Sequence, residues 1–109
     1  MNPFKKIDEN TYQDEEGILY KPIPNYEDYY VSNLGDIYST KWGKWKKLKI
    51  HLNESGYRRV TLRQKNKTVV RRAARLTALA FIFTDNPNLN VIHIDKNKLN
   101  DIATNLKWE

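Results

Sequence analysis

The sequence predicts an α+β fold, with small antiparallel β-sheets built from hairpins and a meander, plus one helix. Three stretches predict it. "KKLKIHLN", residues 46–53, alternates Leu48, Ile50 and Leu52 with Lys47, Lys49 and His51. That period of two marks a strand with one buried and one wet face. "AARLTALAFIF", residues 73–83, repeats apolar residues at three- and four-residue spacings, which marks a helix packed on one side. The final segment, "NVIHID" to "ATNLKWE", sets two short apolar strands around a polar loop. At 109 residues the chain can bury one modest core, so one compact unit is expected.

Taken in order, residues 1–17 are polar and acidic and end at Gly17; they read as a lead-in arm. "ILYKPI" contains Pro22, which cannot donate to a ladder and so predicts an edge strand. "YYVS" and "DIYS" flank "NLG", where Asn33 and Gly35 supply the turn of a hairpin. Tyr26, Tyr29, Tyr30 and Tyr38 crowd this region and are assigned to packing on sheet faces rather than to base stacking. After "KKLKIHLN", the run "YRRVTLRQ" opposes Val60 and Leu62 to Arg59, Thr61 and Arg63, and "QKNK" turns the chain into "TVVRR". The predicted meander presents Lys47, Lys49, Arg59, Arg63 and Lys67 to solvent. Trp42 and Trp45, in "KWGKWKK", either pack under that ribbon or touch sugar and base edges, and packing is the reading adopted.

The helix is expected over residues 73–83. Leu76, Leu79, Ala80 and Phe83 form its buried stripe, and Ala73, Ala74 and Ala78 raise its propensity. Arg71, Arg72 and Arg75 gather at its start, where cations oppose the macrodipole and a phosphate would relieve the conflict. "TDNPN" stops it through Pro87. Three regions follow: the arm 1–17, a β-rich basic region 18–72, and the helix with the closing hairpin, 73–109.

Charge is distributed unevenly. Residues 1–39 carry −5, residues 40–75 carry +12 with Glu54 as their single acid, and residues 76–109 carry −1. So dense a cationic block repels itself unless a polyanion neutralises it, which points to nucleic acid. The candidate DNA contacts are Lys41, Lys44, Lys46, Lys47, Lys49, Arg58, Arg59, Arg63, Lys65, Lys67, Arg71, Arg72 and Arg75. The partner expected is double-stranded DNA, because a twisted two- or three-stranded ribbon fits the major groove. The absence of cysteine excludes a disulfide scaffold, a cysteine zinc site and a thiol nucleophile, and agrees with a reducing, cytoplasmic setting. No apolar run approaches the roughly 18 residues of a membrane helix, and the N-terminus lacks the apolar stretch of a secretory signal. A soluble protein without a membrane partner is expected.

The closing segment resembles the HNH homing endonucleases of phages and introns, whose pattern reads H-I-D-G-N-K-x-N-x-x-x-x-N-L-x-W. His93, Ile94, Asp95, Asn97, Lys98, Asn100, Asn105, Leu106 and Trp108 fall in register. Upstream, "YKPIPNYEDYYVSNLGDIYS" is similar to the nuclease-associated modular DNA-binding domain that precedes such nucleases, and "ARLTALAFI" to the helix joining the two parts. The likeness runs from Leu19 to Glu109. It implies a ββα-metal lineage in which His93 is the general base that activates water, Asn105 holds the hairpin in shape, and one divalent cation, Mg²⁺ or Mn²⁺, neutralises the leaving oxygen.

Departures from the pattern shape the functional expectation. Ile92 stands where the family places a metal-binding Asp or Asn, and the helix that supplies a second ligand is not reached, since the sequence stops one residue after Trp108. Lys96 replaces a loop glycine and Ala74 a frequent histidine. A divalent ion would depend on water, phosphate and Asp95. The hairpin is therefore expected to be an incomplete ββα-metal (HNH) element with no metal ligands and no cofactor. The expected function is duplex DNA binding without cleavage. The first alternative is a metal-dependent nicking endonuclease with His93 as base and Asn105 in support. The second is an inhibitor that binds a protein partner through the acidic first third. Oligomeric state and target sequence are not legible.

Overall fold

A computed structural model describes residues 4–109. Six short strands form one antiparallel sheet in chain order: β1 (Lys5–Asp8), β2 (Thr11–Gln13), β3 (Leu19–Pro22), β4 (Tyr29–Ser32), β5 (Ile37–Ser39) and β6 (Lys46–Lys47). β1 and β2 lie within the segment read as an acidic arm, whose residues 1–3 fall outside the described residues. Their reason for folding is aromatic and non-local. Trp45 gathers Phe4 at 4.5 Å, Tyr30 at 4.7 Å and Tyr12 at 5.3 Å between ring centroids, and Tyr20 and Tyr38 close the cluster. Trp45 therefore packs, but in this aromatic cluster and not under the basic ribbon; Trp42, expected to pack as well, is instead 95% exposed, because its turn projects it away from both sheets.

The strand ending at Pro22 is interior, not at the edge. β2 pairs only with Leu19 and Tyr20, while Pro22 pairs with Tyr30 on the other side. The missing N–H thus falls beyond the end of β2, where no ladder bond is due. The opposite face of β4 and β5 carries Tyr29, Val31 and Ile37, all buried.

"KKLKIHLN" is not one strand. Its first two residues are β6; its later part contributes β7 (His51–Leu52) to a second sheet with β8 (Arg58–Gln64) and β9 (Lys67–Arg72). The chain crosses between the sheets at Leu48 to Ile50, and both of those side chains pack on the core. Leu52 is 59% exposed, so the alternation outlasts the buried surface that gave it meaning.

The helix α1 spans Ala73–Phe81, two residues shorter than expected. Ile82 turns extended and packs with the closing hairpin, and its carbonyl accepts the Trp108 indole N–H at 3.0 Å. Docking thus ends the helix before Pro87 can, and Phe83 is left 90% exposed instead of completing a stripe. α1 is buried on two sides. Ala73 and Leu76, with Ala80 and Phe81, join Ile23, Tyr29, Val31, Ile37, Val60 and Leu62 in the main core. Ala74 and Ala78 receive Leu106, Val91 and Trp108 from the hairpin of β10 (Val91–His93) and β11 (Leu106–Trp108). Among the described residues no helix is long and apolar enough to cross a membrane.

Candidate nucleic-acid interface and hairpin site

The register of the three-stranded sheet decides which cations can meet a ligand. His51 lies opposite Arg59, and Arg59 opposite Arg72, forming one row across β7, β8 and β9. The same face continues with Thr61 opposite Val70 and Arg63 opposite Thr68. It carries no carboxylate. Among the described residues, Arg59, Arg63 and Arg72 make no ion pair. Arg72 instead lies over the Tyr57 ring, 3.9 Å from its centroid. Lys65 and Lys67 are exposed at the β8–β9 turn, Lys49 is exposed on the crossing segment, and Lys44 and Lys46 are exposed before and within β6.

Several other candidates are held by the protein itself. Arg58 shares the inward parity of Val60 and Leu62. Its guanidinium bonds Asp101 at 2.7 Å, the Gly35 carbonyl at 3.2 Å and Asp36 at 3.5 Å. It does not join the outer face. Arg75 donates to the carbonyls of Pro87 and Leu89 and so clamps the post-helix loop to α1. Lys41 donates to the Arg63 carbonyl at 2.8 Å and Lys47 approaches Asp36 at 3.6 Å, which places Lys47 on the other sheet. Arg71 is exposed, but its Nε donates to Tyr26 Oη at 2.8 Å.

The hairpin is fixed at two levels. Within its loop, Asn105 donates to Asp95 Oδ1 and to the Asn100 carbonyl, both at 2.9 Å, and accepts from the Asp95 N–H at 3.1 Å. Hydrogen bonds from the Asn100 amide, the Asn97 backbone N–H and the Asn105 amide hold the Asp95 carboxyl below the usual carboxylate range. Beneath the loop, Asp101 is 2% exposed and binds two partners: Arg58 through Oδ2 and His93 Nε2 through Oδ1, the latter at 2.6 Å. The ring nitrogen facing a carboxylate is assigned the proton, which leaves Nδ1 as the lone-pair nitrogen. No buried side-chain nitrogen or oxygen lacks a partner among the described residues, and Nδ1 has none, so Nδ1 is reached by solvent.

His93, its side chain 5% exposed, borders a cleft of about 420 Å³ lined by Tyr57, Arg72, Ala74, Arg75 and residues 90–93. The N-terminus of α1 opens there, with Arg72 at the N-cap and no side-chain cap. Free helical N–H groups beside a guanidinium suit an anion. The hairpin is joined to the N-terminal sheet by contact with Gly35, where an added Cβ would meet Asp101 Cβ at 2.7 Å, and by the bond from the Ala103 N–H to the Asn33 carbonyl at 2.8 Å.

This geometry has counterparts among known proteins. The NUMOD4 motif matches residues 20–63. DNA endonuclease I-HmuI of Bacillus phage SP01 is 40% identical over 90 residues, covering 82% of this chain and 51% of that protein. H-N-H endonuclease F-TflII of Escherichia phage T5 is 42% identical over 91 residues, covering 80% and 45%. A solved structure, described as DNA binding and cleavage by the HNH homing endonuclease I-HmuI, superposes with a TM-score of 0.74 at 38% identity over 83% of this chain and 51% of that one. The chain is a relative of the phage HNH homing endonucleases. It spans about half the length of those relatives.

The divalent ion that HNH chemistry implies can be tested against the donor set. Ile92 offers no oxygen, and its cross-strand neighbour is a cation, Lys107. Both Asp95 oxygens are taken up inside the loop, and both Asp101 oxygens are held by Arg58 and His93. Among the described residues no group of three His, Cys, Asp or Glu side chains converges on one point. The residues present do not fit a divalent ion. The sequence had also missed Asp101: its parity beside Asn100 carries no signal, because its partner Arg58 lies 43 residues away.

Proposed function

We propose that this chain binds duplex DNA through the outer face of β7–β9 and does not by itself cleave it. One observation carries the reading: a row of His51, Arg59 and Arg72, extended by Arg63, on a sheet face with no carboxylate and no ion pair among the described residues. Unpaired arginines on a twisted ribbon match the sign of the phosphates along a groove. The engagement of the Asp95 and Asp101 oxygens inside the protein, with Ile92 offering none, supports the lack of cleavage, since hydrolysis in this lineage needs both a base and an ion.

The decisive measurement is duplex affinity by fluorescence anisotropy across a salt series. Each neutralised phosphate contributes about −0.9 to the slope of log affinity against log salt, so engagement of the arginine row and its neighbours gives a slope steeper than about −3. Affinity indifferent to salt would overturn the proposal.

A second reading has its own support. With Nε2 held by Asp101, His93 presents Nδ1 to a cleft bearing Arg72, an arrangement in which the imidazole could take a proton from water while the guanidinium holds a phosphate. On this reading the chain nicks DNA once ligands from outside the described residues complete an ion site. Supercoiled plasmid incubated with Mg²⁺ or Mn²⁺ decides between the two. Nicking lost in His93→Ala establishes the second; no nicking difference between wild type and His93→Ala retains the first.

A further inference from the structure

Two aromatic side chains stand almost wholly in solvent: Trp42, 95% exposed, and Phe83, 90% exposed. Their settings differ. Phe83 has no basic residue among residues 79–87. Trp42 sits in a run with five lysines between residues 41 and 49, of which Lys44, Lys46, Lys47 and Lys49 are exposed.

The turn that carries Trp42 is built, not slack. Trp42 has φ 62 and ψ 22, left-handed backbone that a bulky residue seldom adopts, and Gly43 follows at φ 71. The surroundings hold it there. Thr40 donates twice to the Asp28 carbonyl, through its N–H at 2.8 Å and its hydroxyl at 3.2 Å, and Gly43 N–H returns to the Thr40 carbonyl at 3.2 Å. Lys41 ties the turn to β8 at the Arg63 carbonyl and lies 5.0 Å from the Tyr29 ring centroid. The turn thus borders the end of the basic face from which Arg63 projects. Trp45, three residues on, shows where an indole goes when packing is wanted: into the ring of Phe4, Tyr12, Tyr20, Tyr30 and Tyr38.

We infer that Trp42 is a preset apolar contact for duplex DNA, its indole lying on sugar and base edges while the neighbouring lysines meet phosphates. The inference rests on the duplex-binding reading above and adds to it a component of affinity that salt does not screen. A strained, hydrogen-bonded turn gives up little backbone freedom on binding, so the ordering that offsets the ring's contact is confined to the indole's own rotamers. Charge complementarity selects a polyanion as the occupant, because Lys41, Lys44 and Lys46 line the same recess as the ring, and the tie of the turn to β8 at Arg63 joins it to the arginine face, which makes that polyanion DNA. Contacts of an aromatic with bases are sequence-tolerant, so the site sets strength more than target.

The test uses the full chain, a mixed-sequence duplex and the Trp42→Ala and Trp42→Phe variants. Trp42→Ala is expected to bind about 10- to 100-fold more weakly at every salt concentration, with the slope against log salt unchanged, and Trp42→Phe to recover part of the loss. Its melting temperature should match wild type, since nothing buried is removed. Indole emission should be quenched by duplex in wild type and much less in Trp42→Phe, where Trp45 and Trp108 remain as half-buried reporters. Wild-type affinity in Trp42→Ala overturns the inference while leaving the arginine face intact. A loss accompanied by a shallower salt slope also overturns it, because the substitution would then have displaced the lysines. If wild type fails to bind duplex at all, the duplex-binding reading fails and takes this one with it.

Discussion

Arg58 and Arg59 are adjacent on β8 and meet opposite fates. Arg58 points inward and finds Asp101, Asp36 and a carbonyl; Arg59 points outward between His51 and Arg72 and finds no partner. The same contrast separates two regions of the molecule. At the seam between the N-terminal sheets and the hairpin, charge is closed on itself and holds parts together. On the outer face of β7–β9, charge is open. A cation's role here is decided by strand parity and by whether the fold brings a carboxylate, and the chemical identity of the side chain decides neither.

The seam can be broken first, with the largest effect. Asp101→Ala leaves Arg58 with the Gly35 carbonyl and the longer Asp36 contact and removes the partner of His93; loss of one member of a buried pair costs about 3 kcal/mol, readable by urea denaturation. Gly35→Ala should cost about 2 kcal/mol, because Gly35 lies at φ +89 and its Cβ would meet Asp101 at 2.7 Å. The expected signature is loosened docking, read as faster amide exchange in β10 and β11 than in β4. A seam that tolerates both substitutions would mean that the hairpin is held by its apolar contact with α1 alone.

The arginine pair sharpens the contrast. Arg59→Ala should leave stability within about 0.5 kcal/mol and make the salt slope of duplex binding shallower by about 0.9. Arg58→Ala should do the reverse, lowering stability with the slope unchanged. Equal effects of the two on the slope would remove the distinction between the faces.

The smallest effect is a matter of pH. The folded Asp95 carboxyl titrates below its unfolded value, held down first by the Asn100 side chain and then by the Asn97 N–H and the Asn105 amide. A depressed acid stabilises above the unfolded pKa of about 3.9 and loses that contribution as pH falls through the lower folded value. Acidification below about pH 4 should therefore loosen the hairpin loop, visible in the Asn105 side-chain NH₂ resonances. Asp95→Asn should abolish that step.

Much of this was legible beforehand, for physical reasons that can be named. Alternation at Val60 and Leu62 places Arg59 and Arg63 outside, and the same parity places Arg58 inside, against its expected role as a DNA contact. The helix start at Ala73 followed from propensity and spacing. Its second buried side did not, because Ala74 and Ala78 read as good helix formers and only the docked Leu106 and Trp108 turn them into a contact surface. The folding of residues 5–13 and the partners of Asp101 were invisible for one shared reason: Trp45 and Arg58 lie about 30 to 40 residues away from what they hold, and local pattern carries no information at that range.

The seam through Gly35, Arg58, Asp101 and His93 also sets where this chain can be recombined. A graft that lifts only the closing hairpin onto another protein strands Asp101 without its counter-ion Arg58 and so leaves His93 against an unneutralised carboxylate. The transferable piece has to include the turn at residues 33–36 and the strand that begins at Arg58. Exchange of parts among related nucleases would succeed most readily where both sides of that junction travel together.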